Sequence, residues 1–187
     1  MKLGKLLADR KAELLERWFE RVIAAYPEET ARFLQRKRDR FENPIGATIR
    51  ESLDQCIDGL TAERPADELA STLFPLIKIL AVQEFPPSRA LRFLFLLKDL
   101  ARELLADQAA EEELARFGHT MDELSLVAFD LYARSREQVF QLRINDVKRS
   151  TSGLVAMLNK RGFLAEPEVD QDGPAVCASR LQRGVDS

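Results

Sequence analysis

Few side chains in this chain could do chemistry. It holds one histidine, His119, and two cysteines, Cys56 and Cys177. His119 stands between Gly118 and Thr120, the place of a turn before a helix start, so it is expected to be exposed. A haem iron would need an axial ligand aimed into an apolar pocket, which a turn residue does not offer. Cys56 falls on the apolar side of a helical pattern. Such a cysteine behaves as a small hydrophobe, with a redox-sensing role as the alternative. Cys177 sits in a polar stretch without periodicity. The two form neither a CxxC pair nor a disulfide framework, which fits a reducing cytoplasm. Glu28-Glu29 and Glu111-Glu112-Glu113 lie in hydrophilic stretches and read as solvated faces. No helical ExxH, no phosphate-binding loop and no GxGxxG occurs, and spacing supports no Ser-His-Asp set. The expectation is a protein that is not an enzyme and carries no cofactor and no metal.

Charge excludes other classes. The formal net charge is −3, so no overall basicity argues for nucleic acid. The densest basic run, Arg36-Lys37-Arg38-Asp39-Arg40, is short and interrupted. It reads as a solvated helix end, with an acidic partner as the alternative. The first helix mixes both signs on its wet face, unlike a membrane-lying helix. The N-terminus lacks the apolar core of a signal peptide. The longest apolar run, Leu73 to Val82, is too short to span a bilayer and contains Pro75 and Lys78. Neither nucleic acid nor membrane is an expected partner, and the location is expected to be cytoplasmic.

The elements around these residues are helical. Leu, Ala, Glu and Arg dominate while β-branched residues are sparse, which favours helix over strand. A first helix, about 2–25, carries the stripe Leu7, Leu14, Leu15, Trp18, Val22 and Ile23. A short helix over about 28–38 follows. Asn43-Pro44 then supplies an N-cap and a first-turn proline for a helix to about Gly59. The stretch from Ala66 to Glu84 is apolar on most sides, and Pro75 predicts a kink or two short helices there. After Pro86-Pro87, with Ser88 as cap, a helix is predicted over about 89–107. One or two helical turns should then end at Gly118. Phe74, Phe85, Phe93 and Phe95 could enclose a pocket for a small apolar ligand or cofactor, although phenylalanine on a helix is ordinarily core.

The longest element is predicted over about 120–160. Thr120-Met121-Asp122-Glu123 has the form of a capping box. Leu124, Val127, Ala128 and Leu131 are spaced to pack on the domain. Further on, Phe140, Ile144, Val147, Thr151, Leu154 and Leu158 step by fours and threes, a heptad seam. A helix of about 40 residues is about 60 Å long, more than one small domain covers. The seam therefore predicts a homodimer through the long C-terminal helix, or a signalling protein as partner. The alternative is a helix that folds back on its own domain. Residues 162–187, with Pro167, Gly173, Pro174 and Gly184 among polar residues, are expected to be a disordered tail.

The order of these segments resembles a known family. The stretch "ELLERWFERVIAAYP", then "RFENPIGATIRESLDQCIDGL", then "ADELASTLFPLIKILAVQEFPPSRALRFLFLLKDLARELL" is similar to the N-terminal domain of RsbT co-antagonist proteins, the RsbRD N-terminal domain family. The similarity covers about 2–161. Its most specific pieces are the Trp18 helix, the Asn43-Pro44-Ile45-Gly46 start and the "QEFPPSRAL" joint. The resemblance implies an all-α sensory domain, globin-like or a helical bundle, non-haem and dimeric. In longer relatives the last helix leads into a STAS domain of the stressosome. Too little chain follows Arg161 to build one, so a stand-alone sensory module is expected. Stand-alone relatives also allow an accessory role in a redox complex.

Overall fold

The structure, a computed structural model, describes residues 2–36 and 40–160. It is an all-α helical bundle with a long C-terminal helix, and no strand occurs among the described residues. The helices are α1 (Lys2–Asp9), α2 (Lys11–Ile23), α3 (Glu28–Arg36), α4 (Pro44–Thr61), α5 (Ala66–Val82), α6 (Pro87–Ala90), α7 (Arg92–Leu105) and α8 (Glu111–Lys160). The chain divides into two units, Met1–Arg143 and Ile144–Ser187. The expected tail over 162–187, with Cys177, lies outside the described residues, as do Lys37, Arg38 and Asp39 of the basic run.

The core belongs to the first unit. α4 packs most extensively on α5, α2 packs on α7 and α4, and α1 lies on α4. Trp18, Phe19, Ile49, Leu53, Leu73, Ile77, Leu94 and Leu97 are among its fully buried side chains. Trp18 ties α2 to α7 twice. Its ring sits 6.0 Å from that of Phe93, and its indole N–H donates to the Phe93 carbonyl at 2.7 Å. A buried tryptophan needs such a partner for its polar edge. From α8, Leu114, Phe117, Met121, Leu124, Ala128 and Tyr132 join the same core.

The start of α4 shows why Asn43-Pro44-Ile45-Gly46 is more than a helix signal. Asn43 is fully buried. Its side-chain oxygen accepts from the Gly46 N–H at 2.8 Å, and its amide donates to the Leu34 carbonyl at 3.0 Å. One side chain thus caps α4 and ties it to α3. A Cβ on Gly46 would meet the Asn43 amide nitrogen at 2.2 Å, so the cap occupies the space a side chain would need.

Several boundaries differ from the sequence reading, each for a physical reason. The first helix breaks at Arg10 into α1 and α2 and ends at Ile23, before Pro27. α4 runs past Gly59 to Thr61. There Gly59 serves close packing, since a Cβ would meet Leu69 at 2.5 Å. Pro75 neither ends nor divides α5, which is continuous over Ala66–Val82. Pro75 and Ser71, whose carbonyl the proline leaves without a helical partner, are both exposed. Pro86, not Ser88, precedes a short α6, and Leu91 separates it from α7.

The largest correction concerns α8. It begins at Glu111 rather than near Thr120 and continues through Gly118 and His119. Glu113 reaches back to accept from the Ala110 N–H at 3.4 Å, doing at Ala110 what Glu123 was expected to do at Thr120. The Thr120 hydroxyl instead donates to the Arg116 carbonyl, as a helix-interior threonine does. Gly118 is buried, and a Cβ there would meet Lys98 Cε at 3.1 Å. The glycine makes room for the Lys98 stem, whose ammonium pairs with Asp122 at 2.8 Å.

Candidate functional site: an exposed helix seam and an arginine-rimmed groove

The residues of the expected seam lie on α8. In the first unit, Phe140 is 61% exposed. In the second unit, Val147 is 64% and Leu158 37% exposed, Thr151 is exposed and Ile144 is half-buried. The side chain of Leu154 lies outside the described ones. The inward residues fall where the spacing put them: Leu124 and Ala128 are buried, and Val127 and Leu131 pack partly against the core.

Sequence reasoning missed that the open apolar surface of α8 is wider than the seam. Leu126, Phe129 and Leu142 in the first unit are exposed, as are Val155 and Met157 in the second. The signal was available, because Leu126 and Phe129 are offset from the inward stripe of Leu124, Ala128 and Leu131.

The four phenylalanines proposed to line a pocket are not brought together. Phe74 and Phe95 are exposed, while Phe93 is buried and Phe85 packs partly against the core. Phe85 and Phe93 do line a groove of about 670 Å³. Its walls come from the end of α2 (Val22, Ala24, Ala25), the end of α5 (Leu80) and the start of α6 and α7 (Ser88, Ala90, Leu96), with Arg21, Arg89 and Arg92 at its rim.

Phe85, one of the lining residues, sits in a tightly held connection. α5 ends at Val82, and Glu84 takes the left-handed conformation with φ 62°. That turns the chain so that the Phe85 N–H donates back to the Leu80 carbonyl at 3.3 Å. The Tyr26 ring meets Phe85 edge-on at 5.2 Å, and its hydroxyl donates to Gln83 Oε1 at 2.9 Å. Burial pushes the Tyr26 phenol up to about 12. From α8, the Tyr132 hydroxyl donates to the Phe85 carbonyl, Arg136 to the Ala81 carbonyl at 3.0 Å, and Arg143 pairs with Glu84. Burial raises the Tyr132 phenol, with Arg136 opposing.

The rim arginines differ in their ties. Arg21 pairs with Glu103 at 2.8 Å, which also takes Arg17 at 3.0 Å. The Arg21 hydrogen bond holds the Glu103 carboxyl below its usual range. Arg89 lies 4.8 Å over the Phe85 ring and donates to the Ala25 carbonyl. Arg92 is exposed and has no ion-pair or hydrogen-bond partner among the described residues.

The other candidate residues do not assemble into a reactive site. His119 is exposed on α8, its Nε2 3.2 Å from Glu123. Cys56 is fully buried beside Thr72, and burial pushes its thiol up to about 12. A buried thiol so disposed is not a nucleophile near neutral pH. Among the described residues no group of three or more His, Cys, Asp or Glu could hold a metal ion, and no helix is long and apolar enough to cross a membrane.

The comparisons with known proteins bear on most of the first unit and the start of the second. Residues 12–147 match the family model described as the RsbT co-antagonist protein rsbRD N-terminal domain. An uncharacterised protein of Archaeoglobus fulgidus is 26% identical over 141 residues, covering 74% of this chain and 84% of its own. No solved structure matches.

Proposed function

The chain belongs to the RsbT co-antagonist protein rsbRD N-terminal domain family, and from that premise we propose that it is a non-enzymatic regulatory module that works by association. Two copies pair in the cytoplasm along Phe140, Ile144, Val147, Thr151, Leu154 and Leu158, and the pair passes a signal to a protein of a stressosome-type assembly. The observation that carries this reading is the exposure of Phe140, Val147 and Leu158 at heptad spacing on α8. Apolar side chains repeated this way are covered by a second helix in two-stranded coiled coils. The family's sensory and regulatory character supports the rest.

Light scattering on the purified chain across the micromolar range tests the pairing. A dimer is expected, and Val147→Glu, which puts a charge at an exposed seam position, should shift it to monomer with an unchanged helical spectrum. A wild-type monomer at high micromolar concentration rules the homodimer out. A dimer untouched by Val147→Glu removes the seam as its interface.

A further inference from the structure

The groove between α2 and the α6–α7 junction is the second feature of this chain that asks for an occupant. We propose that it binds a free long-chain carboxylate, with the alkyl chain on Val22, Leu80, Phe85 and Leu96 and the carboxylate held by Arg92. Three observations carry this. The lining contains three arginines and no acidic side chain. Between the arginines the walls are apolar apart from Ser88, Phe93 and Leu80 belonging to the core itself. Of the three cations, Arg21 is tied to Glu103 and Arg89 to the Ala25 carbonyl, which leaves Arg92 to take an anion. A guanidinium binds a carboxylate through two parallel N–H donors, and an apolar tail beside it gains burial at about 25 cal/mol per Å².

Size decides between a small amphiphile and the acidic helix of another protein. The groove of about 670 Å³ lies in the range of about 300–1,000 Å³ usual for small-ligand sites. A helix about 10 Å across with a 5.4 Å pitch fills about 420 Å³ per turn. The groove would seat about one and a half turns, short of the two that a helix-in-groove contact with anchors at i and i+7 requires.

Titration calorimetry of the full chain with sodium dodecanoate is the test, with dodecanol as the uncharged control. Dodecanoate is expected to saturate one site per chain and dodecanol to bind at least tenfold more weakly. Arg92→Glu, at an exposed position, should weaken dodecanoate at least tenfold. Ala24→Trp, which fills the groove from its exposed edge, should abolish binding. The proposal is overturned if dodecanoate does not bind, if dodecanol binds equally, or if both variants bind like wild type. It is equally overturned if only anionic phospholipid vesicles or an acidic helical peptide are retained. Light scattering on the same samples reports the dimer separately, so failure of this site leaves the seam reading standing.

Discussion

Cys56 and Tyr26 are buried acids of modest strength, and the fold holds both in their neutral forms. Burial pushes each to about 12, with the Thr72 hydroxyl pulling the other way at Cys56. In the unfolded chain they titrate near their ordinary values of about 8.5 and about 10. Both folded values are raised, so their contribution to stability is fully present below those unfolded values. It is lost as pH rises, because the unfolded chain then releases protons that the folded one keeps. Urea midpoints should therefore stay level between pH 7 and 8 and fall steadily from about pH 9 to 11. Cys56→Ala lowers the midpoint at every pH through the cavity it leaves, but it should flatten the early part of that fall. Parallel wild-type and variant curves would show that the thiol has no part in it. At this scale the sequence was informative. An apolar helix face marked Cys56 as a small hydrophobe, and it is fully buried. His119 was expected to be exposed and is, although in a helix rather than a turn.

At the scale of the element, helix starts were legible only where the capping side chain has no competitor. Asn43-Pro44 marked α4 correctly because the Asn43 side chain caps the Gly46 N–H and Pro44 sits in the first turn, where no N–H is needed. The Thr120–Glu123 pattern misled because a threonine hydroxyl is satisfied equally well by the carbonyl one turn back. Gly118 misled because a glycine can admit a neighbour's side chain as well as end a helix, and no single sequence reveals Lys98 lying across it. Of the kink or two short helices that Pro75 predicted, the continuity of α5 over Ala66–Val82 removes the second. The α4 cap yields a test whose sign is not the one propensity gives. Gly46→Ala should gain about 1 kcal/mol from helix propensity alone. Yet its methyl group falls on the Asn43 amide, which is bonded at both ends and fully buried. Displacing a buried cap costs about 1–2 kcal/mol and leaves donors unsatisfied. A net loss of about 1–3 kcal/mol in chemical denaturation is expected, and a stabilised Gly46→Ala would refute the role given to the cap.

For the molecule as a whole, what could be read from sequence was the class, and what could not was the groove. Composition and periodicity gave an all-helical chain, and segment order gave the family that the match over residues 12–147 shows. The groove was out of reach because its walls come from four separate helices and a connection. The turn that places Phe85 in it depends on Glu84 adopting φ 62°, which nothing in a glutamate announces. The surface ion pairs between helices, Lys11 with Asp54 and Asp58 or Arg50 with Glu16, were equally hidden. Burial pulls the Lys11 ammonium down, but the two aspartates outweigh it and the net direction is up. Exposed pairs of this kind contribute about 0–1 kcal/mol each. The bundle therefore rests on its apolar core and on the few polar ties inside it.

One of those ties has thermodynamic weight beyond stability. Phe85 lines the groove while its carbonyl is held by Tyr132 from α8. One residue thus joins the wall of the groove to the long helix. Linkage is reciprocal: whatever a bound carboxylate does to self-association, self-association must do to carboxylate affinity, by the same factor. The dimer dissociation constant measured with and without saturating dodecanoate should therefore differ, and Tyr132→Phe should bring the two values together. Equal constants in the wild type would mean that the groove and the seam are deaf to each other. If they differ, the protein's own concentration is an input alongside the ligand. The chain would then read abundance and amphiphile on one scale.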